Sequence, residues 1–84
     1  METENILKEL ADVLRTVLEH ANVSLTMDTT TNDVDGWDSL SHTIIISTVE
    51  KHFNIKFKFK EVIRFKNVGD MVETIKAKLA EQGK

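Results

Sequence analysis

The 84-residue sequence contains no cysteine. A disulfide framework and a thiolate zinc site are therefore excluded, and a reducing compartment suits the chain. Proline is also absent, which favours helix over a turn-rich β domain. No apolar run reaches the roughly 18 residues that a membrane span needs. A signal peptide is not expected, because the opening Met1, Glu2, Thr3 and Glu4 lack a positive charge followed by an apolar stretch. Histidine is scarce: His20, His42 and His52 form no i, i+4 pair and no HExxH, so no metal site is expected. His42 and His52 read as residues of a helix's polar face.

What remains is ordinary for a folded chain, with 40% hydrophobic and 30% charged residues. The length is that of one domain, taken as residues 1–84, and is too short for two lobes around a substrate cleft. A core this small suits a binding or carrying module better than a catalyst with a deep pocket. The net charge of −3 is unevenly spread. Residues 1–38 hold nine acids and two bases, a net of −7, whereas residues 39–84 hold five acids and nine bases, a net of +4.

Ile6, Leu7, Leu10, Val13, Leu14, Val17 and Leu18 recur at helical spacing and predict an amphipathic helix over Glu4 to His20, capped by Thr3. From Ala21 to Asp38 the helical pattern dissolves, and the Thr-, Asp- and Asn-rich run from Thr26 to Asp35 marks this as a loop of about 17 residues, in the range where loops are often functional. Within it Val23, Leu25 and Met27 alternate towards the core, and Gly36 allows a sharp turn. A second helix is expected from Ser39 to Phe53, with Asp38 as N-cap. The spacing of Ile45, Ile46, Val49 and Phe53 outweighs the β-branched character of Ile44, Ile45 and Ile46.

Ile55, Phe57 and Phe59 alternate with Lys56, Lys58 and Lys60, the best local strand signal in the chain. No second strand is visible to pair with it, so an extended loop plugging the bundle with its apolar side chains is expected. A short helix over Lys60 to Phe65 follows. The last helix begins after Asn67, with Asp70 in its first turn and Val68, Met71, Val72, Ile75 and Leu79 facing inward. Lys76 and Lys78 suit its C-terminal half, and Gly83 and Lys84 should fray.

Chemistry centres on Gly36-Trp37-Asp38-Ser39-Leu40. This is not the GxSxG nucleophile elbow, since no second glycine follows, and Trp37 separates Gly36 from Asp38, so it is not a GDSL esterase signature. His42 at i+3 could approach Ser39, but no third triad member or oxyanion hole is evident. Ser39 should be exposed at the first turn of a helix, where free N–H groups and the positive dipole end favour an attached phosphate. Asp38 adds a carboxylate that could share a metal ion held by a modifying enzyme. The residues thus suit a serine that accepts a phosphate-linked group from another enzyme, or simply a serine at a helix start.

The Asp38-Ser39-Leu40 triplet before Ile45, Ile46, Val49 and Phe53 resembles the phosphopantetheine-attachment segment of the acyl carrier protein family, and the similarity extends from the first helix through Val68 and Ile75. The resemblance implies an all-α four-helix bundle with a long loop between helices 1 and 2 and a short third helix. It implies a carrier with no catalysis of its own. Ser39 would hold 4′-phosphopantetheine, donated by coenzyme A through a phosphopantetheinyl transferase, and Asp38 would assist the transfer. Acyl groups would ride as thioesters on the arm's thiol, which supplies the sulfur that the chain lacks. Acyl-loading, acyl-transfer and synthase enzymes would be the partners, met through Leu40, Ile44, Ser47 and Glu50 on the second helix. A cytoplasmic monomer in fatty-acid, polyketide or related biosynthesis is expected, with no membrane or nucleic-acid partner; aminoacyl or peptidyl cargo is an alternative.

Two features depart from the family pattern. Residues 38–53 contain only Asp38 and Glu50 as acids, with Ser41, Ile44, Lys51 and His52 where the family often has acids. Lys56, Lys58, Lys60, Arg64 and Lys66 interleave with Phe57, Phe59 and Phe65, a loose description of a nucleic-acid patch. A solvated face over buried aromatics is the expectation preferred there. The alternatives are a helical interaction module that binds nucleic acid, or contact with an acidic partner or the arm's phosphate. Together the departures suggest a specialised carrier.

Overall fold

The computed structural model describes residues 2–19, 23–34 and 36–82. The expectations for His20, Gly83 and Lys84 lie outside the described residues. Among the described residues four helices follow one another: α1 (Thr3–Leu18), α2 (Ser39–Phe53), the single turn α3 (Phe59–Val62) and α4 (Val68–Gln82). A 3₁₀ turn over Thr31–Asp33 interrupts the long connection between α1 and α2. No strand occurs among the described residues, and the all-α bundle with a long first loop and short third helix is as expected. None of the described helices is long and apolar enough to cross a membrane.

Ile6, Leu10 and Leu14 of α1 meet Ile45 and Val49 of α2 and Val68, Met71, Val72 and Ile75 of α4 in one buried cluster. Each such side chain, fully removed from water, contributes roughly 1.5–3 kcal/mol. The helical stripes read from the sequence are therefore the core. The boundaries of α1 differ slightly. Thr3 lies inside the helix rather than capping it, and its hydroxyl accepts from Lys76 Nζ at 3.3 Å. The helix stops at Leu18 because Glu19 takes the left-handed conformation (φ 56°).

The long loop is tied down at both ends of its extended part. Val23 is buried, Leu25 and Met27 are half-buried, and the alternation continues to the buried Thr29. Arg15 of α1 donates to the Val23 carbonyl at 2.9 Å. The first two amides of α4 donate to this loop, Val68 N–H to the Thr29 carbonyl at 2.7 Å and Gly69 N–H to the Met27 carbonyl at 2.8 Å. Loop and helix thus satisfy each other's orphan backbone groups. The cap beyond is the expected one: Asn67 Oδ1 accepts from the Asp70 amide and Asp70 Oδ2 from the Lys66 amide, both at 2.9 Å.

Asn54 (φ 57°) is the C-cap of α2, and the chain then runs extended to Lys58. Ile55 is buried and Phe57 is half-buried against Phe65 in an edge-to-face pair with centroids 5.4 Å apart. Phe59 breaks the expected alternation. It does not plug the bundle but stands in solvent as the first residue of α3. The cause is the helix start: Lys58 N–H donates to Glu61 Oε1 at 2.7 Å and Glu61 N–H to the Lys58 carbonyl at 2.9 Å. This reciprocal cap sets α3 over Phe59–Val62, earlier and shorter than the expected Lys60 to Phe65, and turns Phe59 outward. Glu61 also pairs with Lys78 of α4 at 3.0 Å. The Lys58 amide first, and Lys78 after it, hold the Glu61 carboxyl below its ordinary pKa.

Candidate functional site

Gly36 to His42 form a turn that runs directly into α2. Gly36 has a φ of +86°, and its missing Cβ would meet only Leu18 at 3.6 Å, so its conformation rather than lack of space calls for glycine. Trp37 is buried beside the core and its amide donates to the Val34 carbonyl at 3.2 Å. The next residue reverses that burial, and Asp38, Ser39 and Leu40 are all exposed.

Asp38 is the N-cap that the sequence predicts. Its Oδ1 accepts from the amides of Leu40 at 3.0 Å and Ser41 at 2.9 Å. Ser41 completes the cap: its hydroxyl accepts from the Asp38 amide at 2.9 Å and donates to the Gly36 carbonyl at 2.7 Å. The Ser41 amide is the main cause, with the Ser41 hydroxyl and the Leu40 amide, that holds the Asp38 carboxyl below its ordinary pKa. Sequence reasoning missed Ser41, although Asp-x-x-Ser has the spacing of a capping box.

Ser39 occupies the first position of the 15-residue α2. Among the described residues, neither its hydroxyl nor its amide has a hydrogen-bond partner, although its carbonyl accepts from Thr43 Oγ1 at 3.3 Å. A hydroxyl so placed is open to a reagent from solvent. His42, the nearest imidazole in sequence, is turned elsewhere. It is half-buried, its Nδ1 accepts from Trp37 Nε1 at 3.0 Å, and the two rings stack with centroids 5.9 Å apart. This corrects the expectation of a polar-face residue: the side chain of Trp37 folds back over the first turn of α2 and claims it. His52 is exposed, as expected, and bonds Glu9 of α1 at 2.8 Å.

The other residues singled out on α2 separate into two groups. Leu40 (75% exposed), Ile44 (50%) and Ser47 face outward. Glu50 is half-buried, and its Oε2 accepts from the Phe57 amide at 2.8 Å. That carboxylate holds the loop after α2 in place, a task with no signal in the local sequence because donor and acceptor are seven residues apart.

The comparisons with known proteins agree with this geometry. A family model described as "Phosphopantetheine attachment site" matches residues 8–75. The solution NMR structure of a holo acyl carrier protein from Geobacter metallireducens is 40% identical, with a TM-score of 0.85 over 92% of this chain and 88% of that one. The comparison with curated proteins gave no match. A family match over most of the chain and so close a structural likeness settle the class: the chain belongs to the phosphopantetheine-attachment family. It is an acyl carrier protein, a carrier and not an enzyme. Its prosthetic group is a covalently attached 4′-phosphopantetheine, and its partners are a phosphopantetheinyl transferase and enzymes that handle acyl groups.

Proposed function

We propose that Ser39 Oγ is the attachment atom of the phosphopantetheine arm, on a single carrier domain over residues 1–84. The observation that carries this reading is the exposed hydroxyl at the start of α2, which has no partner among the described residues and is positioned by the cap of Asp38 and Ser41. The residues fit the group. Ser39 would hold the phosphodiester at the positive end of the 15-residue α2, which favours a negative charge there. The arm supplies the thiol on which an acyl group rides as a thioester. The chain itself supplies position, and His42, held by Trp37, is not free to take the hydroxyl proton.

Asp38 has a second use in this reading. Its Oδ1 serves both amides, which leaves Oδ2 directed at no described partner and available to a metal ion held by the transferase. Leu40, Ile44 and Ser47 form the contact surface beside the arm. This face is apolar and neutral, and Glu50 is occupied by the Phe57 amide, so steering of partners by negative charge on α2 is weak. Such a face supports a dedicated carrier in a specialised fatty-acid, polyketide or related pathway, acting as a cytoplasmic monomer.

Incubation with coenzyme A and a broad-specificity transferase should add one phosphopantetheine mass to the protein and none to Ser39→Ala. Robust labelling of that variant would overturn the assignment.

A further inference from the structure

The segment from Lys56 to Lys66 has no task in the carrier reading. Lys56, Lys58, Lys60, Arg64 and Lys66 are all exposed, and none of them is ion-paired among the described residues. The single acid within the segment, Glu61, is spent on Lys78 and the Lys58 amide, so it leaves the positive rim unbalanced. Amid these cations stand two large apolar side chains, Phe59 (80% exposed) and Ile63 (65%). The Ile63 amide donates to the Phe59 carbonyl at 3.1 Å, which sets the pair one helical turn apart on one face.

We propose that this face docks a partner protein that presents an apolar pocket rimmed by carboxylates, with Phe59 and Ile63 as anchors and Lys58, Lys60 and Arg64 as the charged rim. The inference rests on the carrier reading in one respect, that the partner is one that works on the arm. Continuity supports this. Phe65 and Lys66, at the end of the segment, line a small cleft together with Trp37 and His42 at the start of α2. The basic segment therefore ends beside the turn that leads into α2, and a protein seated on the arm can reach along the segment from there.

Other occupants fit less well. Stacking on nucleic acid needs several free aromatic faces, whereas Phe57 and Phe65 are half-buried against each other and only Phe59 is open. An anionic membrane calls for a longer amphipathic helix than the single turn of α3. A second copy of this chain would have to offer its acidic half, but the groove there, floored by Leu7, Ala11 and Leu25, is edged by Lys8 and Arg15 as well as Glu4. Such a mixed edge is not the ring of carboxylates that the basic face calls for.

Full-length ¹⁵N-labelled holo-protein, its Ser39 adduct first verified by mass, is titrated with four probes. They are a helical peptide with a Leu/Phe face flanked by Glu and Asp, the same peptide with Lys for the acids, a single-stranded oligonucleotide, and phosphatidylglycerol vesicles. The acidic peptide should move the amide resonances of residues 56–66 and bind at least about tenfold more tightly than its basic counterpart. Phe59→Ser with Ile63→Ser should weaken it by about tenfold, and so should Lys60→Glu with Arg64→Glu, with spectral dispersion retained. Shifts confined to other segments, equal binding of the basic peptide, or tighter binding of the oligonucleotide or vesicles would overturn the proposal. Absence of the adduct would instead overturn the Ser39 reading alone.

Discussion

Trp37 Nε1–H donates to Nδ1 of His42 at 3.0 Å, across the residues that lead into α2. The bond requires Nδ1 to be unprotonated, so it joins the protonation state of one imidazole to the packing of the turn that carries Ser39. Burial holds the His42 pKa below its ordinary 6.5.

A folded-state pKa depressed in this way means that the unfolded chain binds the proton more readily. The stabilisation from neutral His42 is fully present above about pH 6.5 and is lost as the pH falls through the lower, folded-state value. Acidification should therefore lower the melting temperature and change the emission of Trp37, the only tryptophan. His42→Phe should abolish the pH response of the emission. A response that persists in that variant would place the titrating group elsewhere.

Gly69 is a buried residue in the first turn of α4, and a Cβ there would come within 2.7 Å of the Met27 carbonyl oxygen. Glycine to alanine in an ordinary helix interior stabilises by up to about 1 kcal/mol. Here the added methyl must push the loop backbone away and lengthen the bond that it receives from the Gly69 amide. Gly69→Ala should destabilise by roughly 1–3 kcal/mol in urea denaturation, opposite in sign to the propensity effect.

Ser41→Ala removes both the donor to the Gly36 carbonyl and the acceptor for the Asp38 amide. It should cost about 1 kcal/mol of stability. Its more telling effect is local: the amides of Leu40 and Ser41 should exchange hydrogen faster, and the transferase should modify Ser39 more slowly because the turn is less fixed.

How far the sequence discloses these arrangements depends on the range of the interactions. The start of α2 was legible because Asp38 and the amides that it caps are neighbours in the chain. The inner stripes were legible because Ile45, Val49 and Phe53 are buried at the helical period itself. Hidden were the features set by contacts between segments. Gly69 looks like a weak point in a helix until the Met27 carbonyl is seen to lie against it. His42 looks like a surface residue until the indole of Trp37 closes over it. Phe59 continues an alternating pattern, yet a cap between Lys58 and Glu61 turns it outward. Local periodicity carries no information about a cap formed by the next three residues when that cap begins a new helix.

The decisive measurement is tandem mass spectrometry of the intact protein isolated from its own cells. A phosphopantetheine adduct localised to Ser39 is the predicted result. An adduct on another residue, or an unmodified Ser39 in cells with a competent transferase, would contradict it.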